Sequence, residues 1–282
     1  MATELNGELH RKKEDMNGGQ NNQTRRTARR ARSRFFLCVL SLFLLLAAQT
    51  LWASDSQDEI FARRAQVAFD QAQSQFQSRT NDPVAAWDFA RTCYDWADYA
   101  TNKAQRAAIA REGIAACHRS LLFNNSAAAH YYLAMNQGQL ASSEMLGALK
   151  LVREMEREFK TAAELDTNFD LAGPERNLGL LYRDAPSWPI SIGNRQKARE
   201  FLEKAAAIVP SYPENLLNLA EAYLKWGDHT QAKSELDAVD ALWPQAQQNF
   251  TGEKWESSWY DWSKRRDVLR QTLNPSTKTQ SN

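Results

Sequence analysis

From Asp58 onward, apolar side chains recur at intervals of three and four in blocks of about 12 to 20 residues, and short polar breaks separate the blocks. The first block, Asp58 to Phe76, places Ile60, Ala65, Val67, Ala68, Ala72 and Phe76 at mostly helical spacing. Thr80-Asn81-Asp82-Pro83 then interrupts the pattern. Asp82 suits the N-cap of a following helix and Pro83 its first turn, where a missing N–H costs nothing. Continued to the C-terminus, the pattern predicts eight to ten helices in one curved stack.

The most regular stretch lies near the C-terminus. Leu216, Leu219, Ala220, Tyr223, Gly227, Ala232, Leu236, Val239 and Pro244 fall in one register. These offsets resemble the 34-residue helix-turn-helix unit of tetratricopeptide repeats, with Gly227 in the turn and Pro244 closing the unit. Small residues such as Ala220 and Ala232 let two helices cross closely. Leu216, Tyr223 and Leu236 fill the space toward neighbouring units, and such a unit needs stacked partners to bury its faces.

A preceding unit shows in Leu178, Gly179 and Tyr182, then Ala198, Leu202, Ala205 and Pro210. Its Tyr182-to-Ala198 spacing is 16, which puts seven extra residues in the turn, within 184–194. Two earlier units read more faintly. Trp87, Ala90 and Tyr94 open one, with Ala110, Ile114 and Cys117 on its second helix. Leu133 and Ala134 open the next, with Phe159, Ala162 and Ala163 following. Both call for extra residues between their helices. Trp255, Trp259 and Trp262 then lie on one side of a final helix whose aromatic face can cover the last unit, leaving Lys264, Arg265 and Arg266 in water.

The expected fold class is therefore all-α: a tetratricopeptide-like helical repeat array, or α-solenoid, with irregular insertions between helices, preceded by an N-terminal signal or anchor helix. The repeat domain spans 54–250 and a capping helix 251–273. Residues 274–282 form a polar tail expected to be disordered.

Composition adds to this picture at the N-terminus. The chain has 282 residues, 43% of them hydrophobic, with 11 Gly, 8 Pro and a net charge of +1. Residues 1–34 hold nine of the 35 Lys and Arg and four of the 34 Asp and Glu, leaving 26 basic and 30 acidic groups downstream. The body is mildly acidic and offers no basic face for nucleic acid. An Arg run from Arg25 to Arg34 precedes an apolar run over 35–53, the layout of a secretory signal or a single membrane anchor. Residues 1–34 are then a signal n-region or a cytoplasmic tail. Either way the body is expected on the periplasmic or extracytoplasmic side of an inner membrane, with membrane attachment through 35–53 if that segment is not cleaved.

The segments Trp87 to Tyr94, His130-Tyr-Tyr-Leu-Ala134, Asn177 to Tyr182 and Gly193 to Ala205, with Pro210, resemble the helical repeats of tripartite transporter T-components. They are also similar to those of the regulator of microtubule dynamics family. The first resemblance implies a periplasmic helical-repeat protein that assists a substrate-capturing partner, the second an adaptor. The lipobox cysteine of many T-components has no counterpart here.

Motifs for chemistry are missing. No GxGxxG, GxxxxGK[ST], GxSxG or HExxH occurs, and His10, His118, His130 and His229 have no partner at metal-ligand spacing. No catalytic residue, metal or cofactor is expected. Glu154 and Glu156, among Arg153 and Arg157, read as a salt-laced helix face. Cys93 and Cys117 fall on the two helices of one unit, where export would permit a disulfide and tight packing would equally suit two buried thiols.

The candidate binding residues are Tyr182, Pro186, Trp188, Pro189 and Ile192, around a turn in which Trp stands between prolines. Trp is favoured at interaction hot spots. The alternative is that Trp188 folds back and plugs the array. The repeat-defining positions are Gly179, Tyr182, Ala198, Pro210, Ala220, Tyr223, Gly227, Ala232 and Pro244. The functional expectation is a non-enzymatic protein-binding or scaffold module. The alternative is an accessory subunit of a solute transport system that holds or passes a small-molecule ligand.

Overall fold

The computed structural model describes residues 57–144 and 147–274. The chain divides into two compact units, Met1–Ile60 and Phe61–Asn282. The second carries the repeats and is described below. The expected signal or anchor segment, 35–53, and the tail beyond Asn274 lie outside the described residues.

Ten α-helices follow one another among the described residues: α1 over 57–78, α2 Pro83–Ala97, α3 Lys103–Leu121, α4 Ala127–Ser143, α5 Ala148–Leu165, α6 Phe169–Asp184, α7 Arg195–Ile208, α8 Pro213–Lys225, α9 His229–Asn249 and, after a 3-10 turn at Glu253–Trp255, α10 Glu256–Leu273. Caps punctuate them as polar breaks should. The Asp82 carboxylate accepts the Val84 N–H at 2.9 Å with Pro83 next to it. Asn102, Ser126, Asn194 and Asp228 cap α3, α4, α7 and α9 in the same manner.

Helices pair as α2 with α3, α4 with α5, α6 with α7 and α8 with α9. The first helices of successive pairs also touch, α2 on α4, α4 on α6 and α6 on α8, and α10 packs on α8 and α9. Close crossings explain the small residues. A Cβ on Gly179 would lie 2.6 Å from Leu202 Cγ and 3.0 Å from the Leu202 backbone nitrogen, so only glycine lets α6 meet α7 at this distance. Ala198, Ala220 and Ala232 have no exposed surface. Gly227 adopts φ +77, the left-handed turn conformation that glycine accepts without strain.

Several expectations require correction. Pro244 does not close its unit: α9 runs on to Asn249, because Trp243 and Ala246 on either side of it are buried, and Trp243 joins the core that holds Trp262 and Leu269. The extra residues of the two early units do not sit between their helices. The breaks span only 98–102 and 144–147, and Ala-rich α3, α4 and α5 absorb the length as 19, 17 and 18 helical residues against 13 in α8. On α10, Trp262 is buried as expected. Arg265 and Arg266 are not wet, however: Arg265 forks onto Glu221, and Arg266 lies 4.1 Å above the Trp243 ring and bonds Asp240. Long cationic stems cover apolar surface well when carboxylates meet their heads.

One local feature has no sequence signature. Asp170, Leu171 and Ala172, nominally within α6, all take left-handed φ values of 50, 57 and 64. Non-glycine residues pay about 1 to 3 kcal/mol each for sparsely populated backbone of this kind. A buried arginine holds the turn. Arg176 donates to the carbonyls of Asp170 and Leu171, to the Asp170 carboxylate at 3.0 Å and to Asn215 Oδ1 at 3.1 Å. Asn215 in turn donates to the carbonyls of Leu171, Ala205 and Val209, so α8 clamps the turn from the other side.

Candidate functional site

The first helices share a face, and the residues that line it are mostly polar. On α2, Asp88, Arg91 and Asp95 stand one above another at helical spacing. Arg91 bonds both carboxylates, Asp88 at 3.0 Å and Asp95 at 3.1 Å. At the end of α2, Asp98 accepts from Gln139 of α4 at 2.5 Å. A cavity of about 340 Å³ opens here between α2, α4, α5 and α6, lined by Tyr94, Met135, Gln139, Phe159, Asn177 and Asp184 among others. Its apolar floor and polar rim suit a side chain of a bound segment.

Charge along this face is uneven. Asp88 and Asp95 share Arg91, while Arg106 of α3 reaches toward Asp98 from the side. Burial pushes the Asp95 carboxyl up to about 6, with Asp98, Asp170 and Asp88 raising it further and Arg91 opposing. A carboxylate so poorly compensated favours a cation brought to it. Toward α8 the pattern changes. Burial alone would raise Glu214, yet Arg176 and Arg265 together hold it below the usual carboxylate range.

The sequence-predicted binding residues do not act as one site. Tyr182 is a core residue: its ring stacks on Phe201 with centroids 5.6 Å apart, and its hydroxyl donates to Glu156 at 2.5 Å. Burial and then the Glu156 carboxylate push that phenol up to about 12. Ile192 turns inward against the same core, and Ser191 beside it is buried. The turn insert thus packs against the array on its returning side. Pro186, Trp188 and Pro189 face outward. Trp188 is 84% exposed, so it does not plug the array.

The remaining candidates are structural. Cys93 and Cys117 are buried free thiols, not a disulfide, and burial raises both above the ordinary thiol range. His130 is satisfied on both ring nitrogens, by Glu158 and Asn125 at 2.6 Å. Glu154 and Glu156 pair with Lys150 and Lys160 along α5. Among the described residues no group of carboxylate, His and Cys side chains could hold a metal ion, and no helix is long and apolar enough to cross a membrane. Sequence reading missed the α2 carboxylates. Their signal was the spacing of Asp88, Arg91 and Asp95, but solvated helix faces carry the same pattern.

Residues 192–248, covering the second helix of the third pair and most of the fourth, match the tetratricopeptide repeat family model. The fold is a helical array of tetratricopeptide type. The crystal structure of a thermophilic TPR protein from Thermus thermophilus aligns with a TM-score of 0.51 at 18% identity, over 73% of this chain and 90% of that one. Two crystal structures of MamA align less closely. They give TM-scores of 0.46 and 0.45 at 17% and 15% identity, over 65% and 70% of this chain and 93% and 96% of theirs. No curated protein matches the chain in sequence.

Proposed function

We propose that this tetratricopeptide-type array is a non-enzymatic scaffold that binds a protein partner along the face of its first helices, taking a segment whose basic side chain meets Asp95. The observation that carries this reading is the cluster of Asp88, Asp95 and Asp98 along α2, where the one Arg91 is shared between Asp88 and Asp95 and the Asp95 side chain stays 43% exposed to a partner. The neighbouring cavity gives the adjoining residue of such a segment an apolar seat. Repeat arrays offer long continuous faces of this kind for extended or helical peptides.

Export or anchoring belongs to the same proposal. It rests on the Arg run and the apolar residues 35–53, and would put the face on the far side of a bacterial inner membrane. The solute-transport reading has the sequence resemblance alone behind it.

Binding of fluorescent peptides of equal length, with Lys and Arg, with Asp and Glu, or with neither, tests the central claim. The basic peptide should bind most tightly, lose affinity with added salt, and lose most of it in the Asp95→Asn, Asp98→Asn double variant. Equal affinity for all three peptides, or preference for the acidic one, would remove the reading.

A further inference from the structure

The α6–α7 connection carries a second, independent surface. We infer that its outward tip and the first turns of α7 form a docking element for an anionic lipid bilayer, with Trp188 and Ile190 at the level of the headgroups and Arg195 and Arg199 on lipid phosphates.

The connection is a rigid stem with an apolar tip. At its base the Gly193 N–H donates to the Pro186 carbonyl and the Asn194 N–H to the Tyr182 carbonyl, both at 2.9 Å. A Cβ on Gly193 would stand 2.1 Å from the Ala185 carbonyl oxygen, so the two sides of the stem close tightly. Ile192 and Ser191 anchor the returning side in the protein. Residues 186–190 face outward, with Trp188 84% and Ile190 61% exposed. Prolines on either side of Ser187-Trp188 restrict the tip before it meets anything.

Cations sit directly at the foot of this tip. Asn194 ends the stem and caps α7, whose first turns bear Arg195, Lys197 and Arg199. Among the described residues, none of the three is joined to a carboxylate in an ion pair. Each lies over an aromatic ring instead, Arg195 at 5.3 Å from the Trp226 centroid, Lys197 at 5.0 Å from Tyr182 and Arg199 at 5.2 Å from Tyr223. An open recess of about 400 Å³ is lined by Arg195, Gln196 and Arg199. Residues 183–200 hold four cations against Asp184 and Glu200. Asp184 is itself held by Arg183 and Lys225 at 2.7 Å.

Charge and shape together choose the occupant. A convex tip of two large apolar side chains offers little area to a protein, whose interfaces bury hot spots within a ring of packed neighbours. A bilayer surface asks for just such a tip: Trp partitions to the interface, and adjacent Arg and Lys are drawn to anionic headgroups.

Tryptophan quenching by brominated lipid in the full-length chain tests this. Wild type and Trp188→Phe are compared on vesicles of phosphatidylcholine with and without phosphatidylglycerol. The remaining eight tryptophans are common to both proteins. A quenched component should appear on the anionic vesicles, vanish in W188F, and need about 25-fold more anionic lipid in the Arg195→Gln, Arg199→Gln variant. The difference reads the position of Trp188 whether or not residues 35–53 hold the chain to the vesicle. Equal quenching of wild type and W188F would overturn the inference. So would a Trp188 signal indifferent to lipid charge, and a tip untouched by either vesicle would leave Trp188 to a protein partner instead.

Discussion

Arg64 Nε on α1 lies 2.8 Å from Glu253 Oε1 in the turn that leads into α10, while its Nη1 reaches Glu256 at 2.6 Å. A few residues away Phe61 packs its ring against Tyr260 at 5.9 Å, and farther along α1 Phe69 and Phe76 pack on Phe89 of α2. One helix therefore touches both the first repeat and the C-terminal cap.

The two contacts at the start of α1 should differ in strength. Arg64 is 39% exposed at its side chain, so its ion pairs are screened, and Arg64→Ala should cost little stability, and less still at high salt. Phe61 is buried, and Phe61→Ala should cost about 3 kcal/mol. Urea denaturation of the two variants at low and high salt checks both, and a larger loss for Arg64 would mean the clasp is electrostatic.

Removing the clamp on the left-handed turn should be far more damaging. Arg176→Met leaves two backbone carbonyls, the Asp170 carboxylate and Asn215 without their donor in the interior, for a loss of about 3 to 5 kcal/mol. Arg176→Lys should recover little, since an ammonium cannot reproduce the fork that reaches all four acceptors. Chemical denaturation midpoints decide the point.

Within the turn insert, stability and exposure should separate. Trp188→Ala should change the folding free energy by less than about 0.5 kcal/mol. Tyr182→Ala, from the same predicted site, should cost about 3 to 5 kcal/mol because its ring is core. Thermal melts of this pair would contradict the assignment if the losses were similar.

Asp95 gives the molecule a particular pH response. Its folded-state value of about 6 lies above the unfolded carboxylate range near about 3.9, so the folded form takes the proton first. Asp95 therefore opposes folding most above pH 6, and that opposition shrinks as pH falls from the folded value toward the unfolded one, below which it is gone. Asp95→Asn should raise the melting temperature at about pH 7.5, raise it by roughly half as much at about pH 5, and leave it nearly unchanged at about pH 3.5. A variant less stable than wild type at the higher pH would mean that Arg91 dominates the site instead.

Much of this architecture is local, and local information was legible. Asp82-Pro83 marked the start of α2 because a cap needs only its own helix. Gly179, Ala198, Ala220 and Ala232 marked the crossings because a close approach demands small residues at fixed spacing, whatever lies beyond. The same spacing misled at Pro244, where burial of Trp243 in the core shared with α10 carries the helix past the motif. Partners far apart in the chain could not be read at all. Arg64 and Glu253, or the part of Asp95 that faces Asp170, are ordinary surface charges in sequence, and only stacking brings them together. For the turn insert, the sequence determined that extra residues exist and that they are aromatic and rigid. The tertiary structure decided which of them turn inward, because Tyr182 and Ile192 find an apolar wall in the core and Trp188 does not.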